Sequence, residues 1–84
     1  MIEGKTKSGF EYKIEDAAMD NMELLDLLGE IDKGKTAAIT DATVLLLGKE
    51  QKKRLYEHIR TEEGNVPIEL FIKEFTEILN SKNS

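Results

Sequence analysis

The N-terminal part of the chain alternates apolar and polar residues with the period of a β-strand. Phe10, Tyr12 and Ile14 alternate with charged residues, which is typical of a strand buried on one face. An earlier series over residues 2–6 has the same period, and a three-residue loop at residues 7–9 keeps the apolar positions of both series on one face. We therefore predict a hairpin over residues 2–14 with these cross-strand pairs: Ile2 with Ile14, Gly4 with Tyr12, and Thr6 with Phe10.

The rest of the chain has helical spacing. The strongest pattern covers Ile68 to Leu79, where apolar residues recur at i, i+3, i+4 and i+7, which places Ile68 inward and Glu74 outward. Asp20 followed by a glutamate predicts a helix N-cap, and Gly48 predicts a break between two helices. We predict four helices, at residues 20–32, 40–47, 49–61 and 67–80, and a frayed tail at 81–84.

These elements predict a mainly α fold of the α+β class. A two-stranded hairpin is at best marginally stable alone, so its apolar face must pack on other elements. The remaining chain offers only helices for that role. We expect an N-terminal β-hairpin packed on a bundle of about four short helices, in a single domain that spans residues 1–84.

Composition narrows the classes of function. The net charge is −5, from 17 acidic and 12 basic residues, which argues against nucleic acid as a partner because phosphates are bound by basic groups. The basic cluster at residues 49–54 is interleaved with glutamates and is typical of a solvated helix face. The longest apolar run, residues 44–47, is far too short to span a membrane. We expect a soluble protein without a membrane segment.

One stretch matches a nucleotide-binding motif. Residues 29–36 satisfy G-x-x-x-x-G-K-[ST], the loop that cradles phosphates between a buried strand and a helix. Here an amphipathic helix precedes the loop, and Glu30 and Asp32 would lie where the phosphates should be. We predict a helix C-terminus followed by a linker, and no bound nucleotide.

Two further candidate sites fail on their chemistry. A calcium loop with Gly64 at its sixth position would need ligands at Ile59 and Leu70, and neither side chain can bind a cation. His58 is the only histidine, and no orienting partner or nucleophile can be identified for it. We therefore expect no catalytic, cofactor or metal site, and a protein that is not an enzyme.

Two stretches together resemble a known family. They are GFEYKI at residues 9–14 followed by MELLDLL at 22–28, and LLLGKEQKKRLYEHIRTEEG at 45–64 running into Val66 and Pro67. They resemble small tail assembly chaperones of long-tailed phages and prophages of Gram-positive bacteria. The resemblance covers nearly the whole chain, and its second stretch is the more specific.

The resemblance implies a function without catalysis. Such a protein works in the cytoplasm of the host bacterium, is absent from the finished virion, binds the tape-measure protein and helps to recruit tail-tube subunits. A structural phage component of the head–tail connector type is one alternative. A small DNA-associated regulator that uses the basic face at residues 49–54 is another.

The chain has more apolar residues than one central stripe requires. Apolar residues that stay reachable in a groove can accept an amphipathic partner helix, and closure of a homodimer is the alternative use. The candidate partner-binding residues are Leu25, Leu27, Leu46, Leu47, Ile78 and Leu79.

Overall fold

The structure is a computed structural model that describes residues 1–83. It confirms a mainly helical α+β fold that begins with an antiparallel hairpin. In the described chain the elements are β1 (Ile2–Lys5), β2 (Glu11–Ile14), α1 (Asp16–Met19), α2 (Met22–Asp32), α3 (Ala38–Ile59) and α4 (Ile68–Leu79), followed by a 3-10 turn at Asn80–Asn83. That turn occupies most of the tail that we predicted to fray at residues 81–84; Ser84 lies outside the described residues.

The predicted register of the hairpin is confirmed. Ile2 lies opposite Ile14 and Gly4 opposite Tyr12. Two bonds of 2.9 Å close the loop: the Thr6 amide donates to the Phe10 carbonyl, and the Gly9 amide donates to the Thr6 carbonyl. Gly9 has a φ of 97°, a conformation that residues with a Cβ rarely adopt, so the sequence fixes both the loop and the register.

The start of the second helix differs from the prediction. Asp20 is not its N-cap, because the chain first makes the short helix α1 and Asp20 caps the C-terminal end of that turn. The N-cap of α2 is Asn21, whose Oδ1 accepts a hydrogen bond from the Glu23 amide at 2.9 Å. Asp and Asn cap helices about equally well, so the local sequence alone does not choose between adjacent positions.

The long helix α3 bends sharply at Gly48. There φ is 84° and ψ is 163°, so the backbone leaves the helical region and re-enters it one residue later. The predicted break between two helical segments is therefore confirmed. Their outer ends lie at Ala38 and Ile59, rather than at residues 40 and 61.

The core forms around α3, against which β2, α1, α2 and α4 all pack. The apolar face of the hairpin is buried on the helices, as predicted. The largest fully buried side chains come from the hairpin, from both halves of α3 and from α4: Ile14, Thr43, Leu46, Leu55 and Ile78.

The last helix buries the predicted face through Phe71, Phe75 and Ile78, with differences at its start and at Glu74. Pro67 is the N-cap rather than the first helical residue, and Ile68, predicted to point inward, is 74% exposed because the first turn of α4 extends beyond the core. Glu74, predicted to point outward, is only 5% exposed. It lies three residues after Phe71 and four before Ile78, so it shares their buried face.

No helix within residues 1–83 combines the length and the apolar character needed to cross a bilayer.

Candidate functional site

The structure separates the six candidate partner-binding residues into two groups. Leu46, Leu47 and Ile78 are 2%, 7% and 0% exposed, so the expectation that they remain reachable is wrong for all three. The reason is that α3 and the end of α4 lie at the centre of the packing. Leu25 is exposed, and Leu27 and Leu79 are half-buried. Only the second group can contact a partner.

Leu27 lies in an open groove between α2 and the first half of α3. The groove has a volume of about 530 Å³, and its apolar floor consists of Leu27 together with Val44 and Leu45. All three side chains are half-buried, and Leu27 and Leu45 also pack against the core. Leu25 and Leu79 are not among the residues that line the groove.

Acidic side chains form the rim of this groove. Glu23 and Asp26 project from α2 and Asp41 from α3, whereas Lys49 is the only basic residue in the lining. All four are exposed, and none of the three carboxylates makes an ion pair with another group in residues 1–81, whose side chains the structure describes. The lining therefore combines an apolar floor with three acidic side chains and one lysine, and Val44 of the floor also borders Lys52 and Lys53.

The two walls of the groove repeat one helical pattern. On α2, Glu23 is followed at i+3 and i+4 by Asp26 and Leu27, and on α3, Asp41 is followed at the same spacing by Val44 and Leu45. Residues at i, i+3 and i+4 share a helix face, so each wall brings an acid and a leucine to the same side. This repeat was the signal in the sequence that would have added Val44 and Leu45 to the candidates.

A second apolar groove, of about 420 Å³, lies beside α4. It runs between the start of α3 and the start of α4, where Ile68 is largely exposed. Among the described residues, no charged side chain lines this groove, so its lining does not indicate the charge of a bound partner. Its lining is Thr36, Ala37, Ile39, Thr40, Tyr56, Val66, Ile68, Phe71 and Ile72.

A polar cluster, buried at Thr6 and Glu74 and exposed at Ser8 and His58, joins the hairpin loop to α3 and α4. Thr6 Oγ1 and Ser8 Oγ donate to the two carboxyl oxygens of Glu74 at 2.8 and 2.9 Å, and His58 Nε2 lies 3.0 Å from Ser8 Oγ. Because the Ser8 hydroxyl hydrogen points to Glu74, its oxygen accepts from His58. A catalytic triad places the histidine between the serine and the acid, whereas here the serine is in the middle. The arrangement fits a structural connection.

The stretch that matches the nucleotide-binding motif has the predicted helical context. Gly29 lies within α2, which ends at Asp32, and Gly34 follows with a φ of 96°. The ammonium group of Lys35, which would have to reach a phosphate, lies 2.9 Å from the Glu30 carboxylate. The residues before Gly29 form a helix instead of the strand that the motif requires. That the chain binds no nucleotide stays a prediction.

The basic face at residues 49–54 is partly occupied by contacts within the chain. The Arg54 guanidinium lies 5.2 Å from the centre of the Phe10 ring and donates to the Glu11 carbonyl at 2.7 Å. The Lys52 ammonium lies 5.4 Å from the Tyr56 ring. These contacts hold the hairpin and the second half of α3 in place, which favours a structural role for Arg54 over contact with a phosphate.

The strongest electrostatic perturbations lie outside the groove. A hydrogen bond from Arg60 lowers the pKa of the exposed Glu57 carboxyl, and a hydrogen bond to Asp16 raises the pKa of the N-terminal amine. Arg60 also donates to the Gly64 carbonyl at 2.6 Å, so it ties the end of α3 to the following turn. Within residues 1–83, no group of three or more His, Cys, Asp or Glu residues is placed to hold a metal ion.

Comparison with protein-family models, with curated proteins and with solved structures finds no match to this chain. The groove between α2 and α3 is therefore identified as the candidate site from its own geometry and charge.

Proposed function

We propose that the chain is a non-enzymatic binding protein that holds an amphipathic helical segment of another protein in the groove between α2 and α3. We propose further that it acts as a tail assembly chaperone in the cytoplasm of a host bacterium. Its partner would be the tape-measure protein during phage tail morphogenesis.

The observation that carries the binding proposal is the apolar floor beneath an acidic rim. A partner helix gains affinity by burying its own apolar stripe on Leu27, Val44 and Leu45. Lysines or arginines beside that stripe would meet the unpaired carboxylates of the rim, which selects a basic amphipathic helix over an acidic one. Lys49, at one end of the lining, would sit beside an acidic residue of the partner.

The identity of the partner rests on the resemblance of residues 9–14, 22–28 and 45–64, with Val66 and Pro67, to tail assembly chaperones. The tape-measure protein is long and helical, so it offers many amphipathic segments, and the tail-tube protein is the second partner that the resemblance implies. Leu45 of the groove floor is the first residue of the more specific stretch, Val44 directly precedes it, and Leu27 lies in the other stretch.

Co-expression with the tape-measure protein from the same phage genome tests this function. We expect the partner to be more soluble in the presence of the chain and to elute with it. Leu27→Asp should abolish both effects because it places a charge on the groove floor. Leu25→Asp is the matched control, since it changes the same residue type on the same helix at an exposed position outside the groove.

Circular dichroism of both variants shows whether the fold survives. If Leu27→Asp unfolds the chain, the charge reversals Glu23→Lys and Asp26→Lys test the same groove from its exposed rim. A partner that is equally soluble without the chain and never elutes with it would contradict the chaperone function. Presence of the chain in purified virions would favour a structural phage component instead.

A further inference from the structure

The two edges of the hairpin differ in how their backbone groups are satisfied. On the outer edge of β2, the Lys13 amide donates to Gln51 Oε1 and the Lys13 carbonyl accepts from Gln51 Nε2, both at 2.7 Å. Arg54 donates to the Glu11 carbonyl on the same edge. Side chains of α3 thus occupy the edge of β2 and block further strand pairing there.

The outer edge of β1 is open. The Thr6 amide donates to the Phe10 carbonyl, so the backbone groups of Thr6 point toward β2. Because this direction alternates along a strand, the amides and carbonyls of Gly4 and Ile2 also point toward β2, whereas those of Glu3 and Lys5 point outward. Within residues 1–83, no group bonds the outward amide and carbonyl groups of Glu3 and Lys5. Both side chains are exposed. The edge therefore offers four unpaired backbone groups at one pairing site.

We propose that a second copy of the chain pairs with this edge, β1 against β1, in antiparallel orientation. The two-fold axis would pass between the two Gly4 residues. Glu3 of each copy would then lie opposite Lys5 of the other, and the outward amides and carbonyls of these residues would form four hydrogen bonds across the axis. The two hairpins would become one four-stranded sheet.

Charge selects this partner and this register. Within each hairpin, Glu3 already lies opposite Lys13 and Lys5 opposite Glu11. The proposed pairing continues this alternation of charge across all four strands. Each cross-strand row then contains Lys13 and Glu3 of one copy, followed by Lys5 and Glu11 of the other. A shift of two residues in either direction would instead place Glu3 opposite Glu3 or Lys5 opposite Lys5, which is unfavourable.

The residue at the proposed axis suits close approach. Paired residues that do not exchange hydrogen bonds come within about 4.5 Å between Cα atoms, and Gly4 has no side chain to obstruct this. A Cβ added at Gly4 would lie 2.3 Å from the Tyr12 hydroxyl oxygen, so the tyrosine ring already covers the inner face at this point. No side chain of Gly4 therefore obstructs the outer edge of β1.

Analytical ultracentrifugation from micromolar to millimolar concentration tests the pairing by charge exchange. We expect the wild type to form a dimer. Glu3→Lys alone and Lys5→Glu alone should each be monomeric, because each brings like charges together. An equimolar mixture of the two variants should dimerise, and so should the double variant Glu3→Lys/Lys5→Glu, because both restore opposite charges across the axis. Like charges remain within each hairpin, opposite Lys13 and Glu11, so protection of the Thr6 amide must show that the hairpin of each variant is intact.

Amide hydrogen exchange locates the interface. Protection of the Glu3 and Lys5 amides should rise with concentration, whereas the Thr6 amide, which bonds within the hairpin, should be equally protected at every concentration and so reports that the hairpin is intact. A wild type that stays monomeric, or a dimer that survives both single variants, would overturn the proposal. Protection that appears only when the co-expressed partner is added would assign the edge to a strand of that partner and overturn self-pairing.

Discussion

At the scale of single residues, Glu74 departs most from the hydrophobic pattern. It lies on the buried face of α4 between Phe71 and Ile78, yet its two carboxyl oxygens accept from hydroxyl groups of the hairpin loop. Burying a polar group is costly unless it forms hydrogen bonds. Glu74 therefore belongs to the core as the residue that anchors the loop, rather than to the solvated face that its residue type suggested.

This role predicts the effect of replacing the carboxyl group. Glu74→Ala leaves the buried Thr6 hydroxyl without its carboxylate acceptor, and an unsatisfied buried polar group costs about 1–3 kcal/mol of the free energy of unfolding. Glu69→Ala, an exposed position on the same helix, should change it by less than about 0.5 kcal/mol. Urea denaturation measures both. Equal effects for the two variants would mean that the contacts of Glu74 do not stabilise the fold.

At the scale of elements, the bend in α3 decides how the core is assembled. The backbone conformation at Gly48 is essentially restricted to glycine, so an alanine there is strained by about 1–3 kcal/mol. Gly29 is also a glycine within a helix, but it has ordinary helical geometry and open space where a Cβ would project. Alanine at Gly29 should stabilise the chain by about 0.5–1 kcal/mol.

Gly48→Ala and Gly29→Ala should therefore shift the midpoint of thermal unfolding in opposite directions, downward and upward respectively. Differential scanning calorimetry of both variants measures the two shifts. If Gly48→Ala raised the midpoint, α3 would prefer to be continuous, and the bend would not be required by the fold.

The same elements explain what the sequence could predict. The hairpin register and the break at Gly48 follow from local chemistry, namely period-two alternation, a three-residue loop and a glycine conformation. The exposure of Ile68 and the burial of Leu46 depend on where α3 and α4 meet, which no local pattern specifies. For the candidate site, the apolar surplus identified Leu27, but it missed Val44 and Leu45 because the helix pairing that forms the groove was not predicted.

At the scale of the whole molecule, the two proposed surfaces use different parts of the chain. The groove is formed by α2 and α3, and the open edge by β1, and no residue of β1 lines the groove. Val44 and Leu45 of the groove floor also line a larger cavity, of about 840 Å³, together with Glu3, Gly4 and Lys5 of β1. Pairing through β1 would therefore leave the α2 wall of each groove accessible and would lie close to part of its floor. Failure of the dimer in ultracentrifugation would leave partner binding untouched, and failure of co-elution would leave the dimer untouched.

The net charge of −5 predicts how partner binding depends on salt. Attraction between the acidic rim and a basic helix is screened over about 8 Å at physiological ionic strength, so the affinity for a tape-measure peptide should fall severalfold as salt rises. Glu23→Lys/Asp26→Lys should remove most of this dependence, because it reverses two of the rim charges. The matched control is Glu62→Lys/Glu63→Lys, in the exposed turn after α3. Each pair of changes adds +4 and brings the net charge from −5 to −1.

Titration calorimetry at several salt concentrations separates the local rim from the overall charge. If the rim carboxylates select the partner, only the groove variant loses affinity and salt dependence, while the control keeps the wild-type slope. If the two variants behave alike, net charge alone steers association. Binding that strengthens with salt would mean that the apolar floor alone holds the partner, and the acidic rim would then play no part in choosing it.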